Sequence, residues 1–327
     1  MDQLYDLPLE ELQVYKPTLT KRPDFHSFWQ QTLNLLQEVP IQSKIEPYDY
    51  PVRGVKVYRI TFIGYNHAEI QGWLAVPESD KPVPGLVCYH GYNYAMDGLL
   101  HETVQNALNG YAVLQMLCRG QQGYSVDNII ASQGFSRGWM TKGILNKDEY
   151  YYRAVYMDAI RALEVIASLE AVDADRIGVM GGSQGGALAI VAAALSPIVK
   201  VVIADYPYLA NFRRAIDVVP EGPYLEINEY FRHYSDSDVE EKAMETLSYF
   251  DVMNHAPNVH CHTRVNIGLI DRITPPSTLF AVYNHLGCSK DLGLFRYFGH
   301  EYIPGAVEPK WRTLMSILTD KEFLSKS

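Results

Sequence analysis

The residues best suited to chemistry lie in a glycine-rich turn at 181–185, which reads Gly-Gly-Ser-Gln-Gly. A short apolar stretch at 176–180 predicts a strand before the turn, and an Ala-rich run after it predicts a helix. The pattern G-x-S-x-G between a strand and a helix is typical of a nucleophile elbow, where the serine hydroxyl stands clear of the sheet. Gly181 and Gly185 are needed because a Cβ there would collide with the strand or the helix. We therefore predict that Ser183 is a nucleophile near the positive end of a helix dipole; the alternative is a glycine-rich turn with an idle serine.

A serine nucleophile needs a histidine base and an acid, presented at the carboxyl ends of strands in the chain order Ser, acid, His. Asp205 and Asp271 each follow an apolar run that predicts a strand. We favour Asp271, which closes the strand just before the one leading to His300, and we keep Asp205 as an alternative acid or a loop-holding residue. In this prediction His300 takes the proton of Ser183 and Asp271 orients the imidazole.

A tetrahedral oxyanion also needs two backbone donors. One is expected from the residue after the nucleophile, Gln184, and the other from a loop after an earlier strand. The loop His90-Gly91-Tyr92 occupies that place, so we predict the Tyr92 amide as the second donor. The alternative is that His90 and Gly91 only make a tight turn.

A histidine pair and a glutamate are further candidates for chemistry. His260 and His262 would share one side of an extended strand, as a metal pair does, but no third ligand is evident nearby, so we expect no metal. Glu301 follows His300 and either supports it or is a solvated charge.

The order of the predicted elements defines the fold class. Strands alternate with helices, which predicts an α/β fold with a mostly parallel twisted sheet and helices on both faces. The predicted strands are 52–63, 69–76, 85–90, 111–118, 176–182, 200–205, 264–271 and 294–298. The predicted helices lie near 98–109, 150–169, 184–195, 275–287 and 308–320. With the elbow, this arrangement indicates an α/β-hydrolase fold in a single domain, 1–327, whose first two strands form an antiparallel pair.

Three segments stand apart from that alternation. Residues 1–40 form a helical extension, in which Asp24 is a candidate helix cap. Residues 120–148 form a long loop, and loops of that length are commonly functional. Residues 207–257 form an insertion before the acid-bearing strand, which we interpret as a cap or an assembly surface.

Composition limits the partners and the compartment. The net charge of −10 argues against nucleic acid and anionic membranes as partners. The four cysteines have no C-x-x-C spacing and are expected as free thiols in a reducing compartment. The acidic N-terminus has no apolar run typical of a signal peptide, and no stretch approaches the length of a membrane span. These features predict a cytoplasmic protein.

Three motifs carry a family resemblance: Arg119-Gly120-Gln121, the elbow at 181–185, and His300-Glu301. On these motifs the chain resembles the acetyl xylan esterase/cephalosporin C deacetylase family of α/β-hydrolases, carbohydrate esterase family seven. Further similarity at 6–12, 24–29, 138–143 and 150–164 extends the resemblance over nearly the whole chain. Gln122 departs from the family pattern, where glycine is expected.

The resemblance implies a serine esterase that deacetylates small acetylated sugars, short xylo-oligosaccharides and cephalosporin C, without a cofactor. It places the triad on Ser183, Asp271 and His300, and the oxyanion donors on the amides of Tyr92 and Gln184. It also implies a homo-hexamer whose active sites face an internal chamber, with 207–257 as assembly surface.

The resemblance further suggests supporting residues around the site. Arg119, Gln121 and Glu301 would act beside the catalytic groups, and we expect Arg119 to hold its loop by packing on Trp139.

Two alternatives remain at the level of sequence. One is a carboxylesterase or peptidase for other acyl groups. The other is a non-catalytic binding protein on a hydrolase fold.

Overall fold

A computed structural model describes residues 4–94, 96–121 and 123–319 of the chain. Within those ranges, nine strands form one sheet. In chain order they are β1 (Ser43–Pro47), β2 (Val55–Ile63), β3 (Glu69–Pro77), β4 (Val83–Tyr89), β5 (Ala112–Met116), β6 (Val172–Gly182), β7 (Val199–Asp205), β8 (His262–Gly268) and β9 (Lys290–Phe295).

The sheet combines an antiparallel edge with a parallel body. The spatial order is β1-β2-β3-β5-β4-β6-β7-β8-β9. The β1–β2, β2–β3 and β3–β5 pairs are antiparallel, and every pairing from β5 across to β9 is parallel. The predicted mostly parallel sheet and the antiparallel pair near its start are confirmed.

Helices cover both faces of the sheet, as predicted. In chain order they are α1 (Leu9–Val14), α2 (Phe25–Gln37), α3 (Met96–Ala107), α4 (Tyr151–Ala167), α5 (Gln184–Leu195), α6 (Phe212–Val218), α7 (Leu225–His233), α8 (Ser237–Phe250), α9 (Val252–His255), α10 (Pro276–His285) and α11 (Pro304–Leu318). Successive residues of the central strands alternate between two apolar cores because side chains on a strand alternate in direction. In β4, Val87 and Tyr89 pack in the core of α4 and α5, whereas Leu86 and Cys88 face the core of α3 and α11.

The last two parallel strands differ in extent from the prediction. β8 ends at Gly268, before Asp271, and β9 ends at Phe295 instead of residue 298. After Gly268 the chain leaves the ladder: Ile270 N donates to Phe298 O at 3.2 Å, so two loops pair with each other there. Asp271 therefore lies in a turn beyond the strand, and the expectation that it closes the strand is wrong.

The N-terminal extension packs on the body through α2. Trp29 and Phe28 are buried against α4 and the end of α8, and the Trp29 indole donates to Tyr249 O at 3.1 Å. Asp24 precedes α2 but does not cap it with its side chain. Its carboxylate instead accepts hydrogen bonds from Lys147 Nζ at 2.6 Å and from the Tyr249 hydroxyl, so the prediction that Asp24 caps the helix is wrong.

The insertion at 207–257 contains α6 to α9 and connects β7 to β8. The described part of the loop at 120–148 contains neither helix nor strand. No helix in the described ranges is both long and apolar enough to cross a bilayer.

Candidate active site

The elbow turns sharply at Ser183, between β6 and α5. Ser183 has φ 56° and ψ −121°, a backbone conformation that is strained for a residue with a side chain and is held by the surrounding contacts. One such contact is the hydrogen bond from Ser183 N to Asp205 O at 2.9 Å. A Cβ on Gly185 would lie 1.9 Å from Tyr89 O, and one on Gly181 would lie 2.4 Å from the Gly185 carbonyl carbon. Both positions therefore exclude a side chain, in the way the motif predicts.

Asp271 and His300 meet through one hydrogen bond. His300 Nδ1 lies 2.8 Å from Asp271 Oδ2. Asp271 is fully buried, and its Oδ1 accepts from the amides of Ile273 at 2.9 Å and Thr274 at 2.8 Å. The Thr274 hydroxyl donates to Asp271 Oδ2 at 2.7 Å and lies 3.2 Å from His300 Nδ1. The carboxylate is thus held in one orientation by four donors, of which the imidazole is one.

Asp205 has different partners. Its Oδ1 accepts from Asn266 Nδ2 at 2.6 Å, and its Oδ2 accepts from Lys310 Nζ at 2.8 Å. Its carboxylate therefore links β7 to β8 and α11, and the structure brings Asp271 to His300 instead.

Tyr206 connects the histidine to the elbow. Its ring lies 4.7 Å from the His300 ring, centroid to centroid. The same ring borders the elbow, since a Cβ on Gly182 would lie 3.2 Å from it. Among the described residues, His300 hydrogen bonds to Asp271 and Thr274 and not to Ser183 Oγ. A serine–histidine contact of this kind commonly tightens only when substrate is bound.

The two predicted oxyanion donors flank Ser183. Gln184 is the first residue of α5, where a backbone amide has no carbonyl one turn earlier in the helix to bond. The turn containing Tyr92 approaches from β4, and a Cβ on Gly91 would lie 3.8 Å from Ser183 Cβ. Gln184 and the turn at Gly91 therefore both lie next to Ser183.

The Tyr92 side chain is held by a glutamate from the insertion. Its hydroxyl lies 2.9 Å from both carboxylate oxygens of Glu226, on α7, and accepts from Trp139 N at 2.7 Å. Glu226 also accepts from Met140 N at 3.0 Å and is 7% exposed. Burial raises the pKa of Glu226. A Cβ on Gly138 would lie 2.2 Å from this carboxylate, so the loop closes tightly over it.

Sequence reasoning missed Glu226 and Tyr206. Glu226 follows Pro223-Tyr-Leu in a segment with no motif, and only the fold brings it to Tyr92, 134 positions away. Tyr206 had a usable signal, because it directly follows Asp205 at the carboxyl end of a strand, where site residues collect.

Arg119 has a partner that the sequence did not suggest. Its Nε donates to Asp158 Oδ2 at 2.7 Å and its Nη2 to Asp158 Oδ1 at 2.8 Å, with both side chains fully buried. Nη2 also donates to Tyr65 O at 2.9 Å. Trp139 instead lies against Tyr92, with ring centroids 5.4 Å apart. The expected packing of Arg119 on Trp139 is therefore wrong, because the fixed fork of the guanidinium is matched by a buried carboxylate.

Gln121 links the segments that carry the two predicted oxyanion donors. Its Nε2 donates to Gln184 Oε1 at 2.8 Å and to the Tyr151 hydroxyl at 3.0 Å. Its Oε1 accepts from Asn93 N at 3.0 Å, in the turn that carries Tyr92. Gln122, where the chain departs from the family pattern, lies outside the described residues.

Glu301 is exposed and bonds locally. Its Oε1 accepts from Gly299 N at 3.1 Å, across the loop that carries His300. It supports the shape of that loop and touches neither Ser183 nor Asp271 through any described hydrogen bond.

The pair His260 and His262 does not assemble a metal site. His262 Nδ1 lies 2.9 Å from Ser289 Oγ, and its Nε2 lies 3.3 Å from Asp291 Oδ2. In the described ranges no three His, Cys, Asp or Glu side chains are grouped so that they could hold a metal ion.

Comparison with known proteins adds a family and close structural relatives. A family model described as acetyl xylan esterase (AXE1) matches residues 1–316. An acetyl xylan esterase from Paenibacillus sp. R4 is 41% identical, superposes with a TM-score of 0.92, and is matched over 95% of this chain and 100% of its own. Acetyl xylan esterase 1 from Thermoanaerobacterium sp. JW/SL YS485 is 29% identical with a TM-score of 0.92, over 97% of this chain and 100% of its own.

A curated relative is longer than this chain. The acetyl esterase Axe7A of Xylanibacter ruminicola is 27% identical over 284 residues, which are 85% of this chain and 63% of that protein. The alignment thus spans under two thirds of that relative.

Proposed function

The chain belongs to the acetyl xylan esterase (AXE1) family, and from that premise we propose that it is a serine carboxylic ester hydrolase that removes O-acetyl groups from small acetylated carbohydrates. The proposed substrates are acetylated xylo-oligosaccharides and cephalosporin C. The observation that carries the proposal is a strained elbow serine, Ser183, together with a hydrogen-bonded Asp271–His300 pair, with the Tyr206 ring in contact with both the elbow and His300.

The proposed reaction begins with attack by Ser183. As Oγ bonds to the acetyl carbonyl carbon, His300 Nε2 takes the hydroxyl proton, and Asp271 Oδ2 holds the Nδ1–H and stabilises the imidazolium. The carbonyl oxygen becomes an oxyanion that accepts from the amides of Tyr92 and Gln184. Collapse of this intermediate breaks the ester C–O bond, and His300 gives its proton to the departing sugar oxygen.

The second half returns the enzyme to its starting state. Water attacks the acetyl-Ser183 carbonyl while His300 accepts one water proton. Acetic acid leaves as that proton returns to Ser183 Oγ, and the acid then loses its remaining proton to solvent to give acetate.

Bulky aromatic residues support a preference for a small acyl group. The Tyr92 ring packs against Trp139, with centroids 5.4 Å apart, and against Tyr208 at 6.2 Å. Because these rings crowd the turn that binds the acyl oxygen, we expect acetyl esters to react faster than butyryl or longer esters.

The test measures p-nitrophenyl acetate hydrolysis and acetate release from acetylated xylose and cephalosporin C, for wild type and Ser183→Ala. We expect wild-type turnover on all three, lost by several powers of ten in the variant. Equal or faster hydrolysis of butyryl esters, or turnover of the nitrophenyl ester alone, would indicate a carboxylesterase or peptidase of other specificity. Absence of Ser183-dependent turnover would favour a non-catalytic binding protein.

We also propose a cytoplasmic homo-hexamer. Support comes from free thiols at all four cysteines, typical of a reducing compartment, and from exposed apolar side chains of the loop at 120–148. Those side chains are Tyr124, Val126, Ile130 and Phe135. Sedimentation velocity tests the assembly, and a monomer at micromolar concentration would contradict it; cell fractionation tests the compartment.

A further inference from the structure

The turn after β4 leaves the Tyr92 amide without an acceptor. Tyr94 N donates to Gly91 O at 3.3 Å, which closes a four-residue turn, and Asn93 has φ 51°, as the third residue of a type II turn does. The Tyr92 amide takes no part in closing this turn. In the described part of the chain it bonds to nothing, so its direction depends on the plane of the Gly91–Tyr92 peptide.

The His90 side chain hydrogen bonds to the carbonyl of that peptide. Its Nε2 lies 2.9 Å from Cys118 N, and its Nδ1 lies 2.7 Å from Gly91 O. Cys118 N can only donate, so Nε2 must carry the lone pair. Gly91 O can only accept, so Nδ1 must carry the proton. The two partners thus select one neutral tautomer of the ring.

The surroundings of His90 favour this neutral tautomer. The side chain is 3% exposed, and burial lowers the pKa of the imidazole. A protonated ring would place an Nε2–H against the Cys118 amide, so the bond from the end of β5 requires the neutral form. That bond in turn anchors the ring to the sheet.

We propose that His90 is a positioning residue of the oxyanion hole, which fixes the Gly91–Tyr92 peptide so that the Tyr92 amide points toward the substrate oxygen. The peptide is planar and trans, so its C=O and N–H point in opposite directions. With the carbonyl held by His90 Nδ1, the amide points away from the imidazole, and Gly91 itself lies beside the nucleophile, where a Cβ on it would be 3.8 Å from Ser183 Cβ. This inference rests on the proposed function, which gives the Tyr92 amide its role.

Gln121 does not make the same contact with the Gly91 carbonyl that His90 makes. Its Oε1 accepts from Asn93 N at 3.0 Å, one peptide further along the turn. It restrains the far side of the turn but makes no hydrogen bond to the Gly91 carbonyl. Loss of the His90 contact therefore leaves the Gly91–Tyr92 peptide without its side-chain anchor.

Two substitutions separate the two contacts of His90. In His90→Asn the side-chain amide nitrogen lies near the place of Nδ1 and can still donate to Gly91 O, while the contact with Cys118 N is lost. In His90→Gln the side-chain oxygen can reach the place of Nε2 and accept from Cys118 N, while the donor to Gly91 O is lost. Both variants remove the imidazole and change the buried volume, so each controls for the other.

The measurement is kcat and KM for p-nitrophenyl acetate, normalised by titration of Ser183 with an organophosphate, with the Tm of each variant. We expect kcat of His90→Gln to fall about 100-fold, the effect of losing one oxyanion donor, with KM changed by less than about threefold. His90→Asn should keep kcat within about tenfold of wild type, because the donor to the peptide remains.

Two results for kcat would each overturn the proposal. A His90→Gln enzyme with wild-type kcat overturns it, and so does a folded His90→Asn enzyme whose kcat falls as far as that of His90→Gln. Failure of the proposed function looks different, because wild type itself would then show no Ser183-dependent turnover.

Discussion

Asp205, the last residue of β7, and Asp271, in the turn after β8, differ in the residues around them. Asp271 is fully buried and surrounded by donors from its own turn, with His300 as the remaining partner. Asp205 bonds instead to Lys310 and Asn266. The two carboxylates thus have different partners, and on this basis we propose that Asp271, and not Asp205, is the acid that orients His300.

Substitution of each aspartate by asparagine tests this division. Asp271→Asn should lower kcat about 10⁴-fold, because the amide presents an N–H toward His300 Nδ1 and favours the wrong tautomer. Asp205→Asn is the matched control and should keep kcat within about tenfold, since it loses only a partly exposed ion pair. Steady-state kinetics on p-nitrophenyl acetate measures both, and a larger loss in Asp205→Asn would reverse the assignment of the acid.

Elements outside the sheet contact the loops that contain the residues of the candidate active site. The N-terminal extension reaches the elements around Asp271: Asp6 accepts from Ser277 N, in α10, at 2.7 Å and pairs with Arg214, in α6, at 2.7 Å. The Tyr5 hydroxyl donates to the backbone oxygen of Asp271. On the other side, α7 holds the Tyr92 turn through Glu226. We infer that the extension and the insertion preserve the geometry of the site.

The contribution of α7 is measured by two glutamates on that helix. Glu226→Ala leaves the Tyr92 hydroxyl and the Met140 amide without their acceptor, so we expect the free energy of unfolding to fall by about 2–3 kcal/mol. We also expect kcat to fall about tenfold through displacement of the Tyr92 turn.

The matched control is Glu229→Ala, one turn later on α7. Glu229 pairs with Arg137, whose side chain is 69% exposed, so its loss should cost less than about 1 kcal/mol with kcat unchanged. Denaturant unfolding and steady-state kinetics compare the two variants. Equal effects on stability and kcat would show that Glu226 has no special role.

The whole molecule is organised by one continuous sheet with an apolar core on each face. We propose on this basis that the chain is a single domain, which predicts one cooperative unfolding transition. The larger core includes a buried histidine, His255, between Phe25, Trp29 and Tyr156. Its Nε2 donates to Tyr249 O at 3.2 Å, and its Nδ1 has no partner among the described residues.

This histidine predicts a loss of stability in acid. Burial lowers the pKa of His255 from 6.5 to about 3. Between those values the unfolded chain binds a proton that the folded protein does not, so stability falls as the pH drops below 6.5. The loss between pH 7 and pH 5 should be about 2 kcal/mol from this group alone.

His255→Phe removes the titration and keeps an aromatic ring in the core. Tyr249 O remains bonded, because the Trp29 indole also donates to it. We expect the difference in unfolding free energy between pH 7 and pH 5 to be about 2 kcal/mol smaller in this variant than in wild type. Urea unfolding at both pH values measures it, and an unchanged difference would exclude His255 as the source.

The sequence by itself determined the features that depend on neighbouring residues. The elbow follows from steric limits within 181–185, and Gly181 and Gly185 lie where a Cβ has no room. Alternating apolar runs determined the order of strands and helices, and therefore the fold class. The order Ser183, Asp271, His300 along the chain follows from the same local patterns, although the strand before Asp271 ends earlier than its apolar run suggests.

Only the tertiary structure decided which side chains face each other. In the folded chain Arg119 forms an ion pair with Asp158, and Glu226 hydrogen bonds to Tyr92. Tyr206 lies between the elbow and His300, and the partners of His90 select its tautomer. These contacts join residues that are far apart in the chain. Their direction and burial depend on how loops pack over the sheet, which local propensity does not encode, because a buried polar group takes the partner that the packed fold brings within reach.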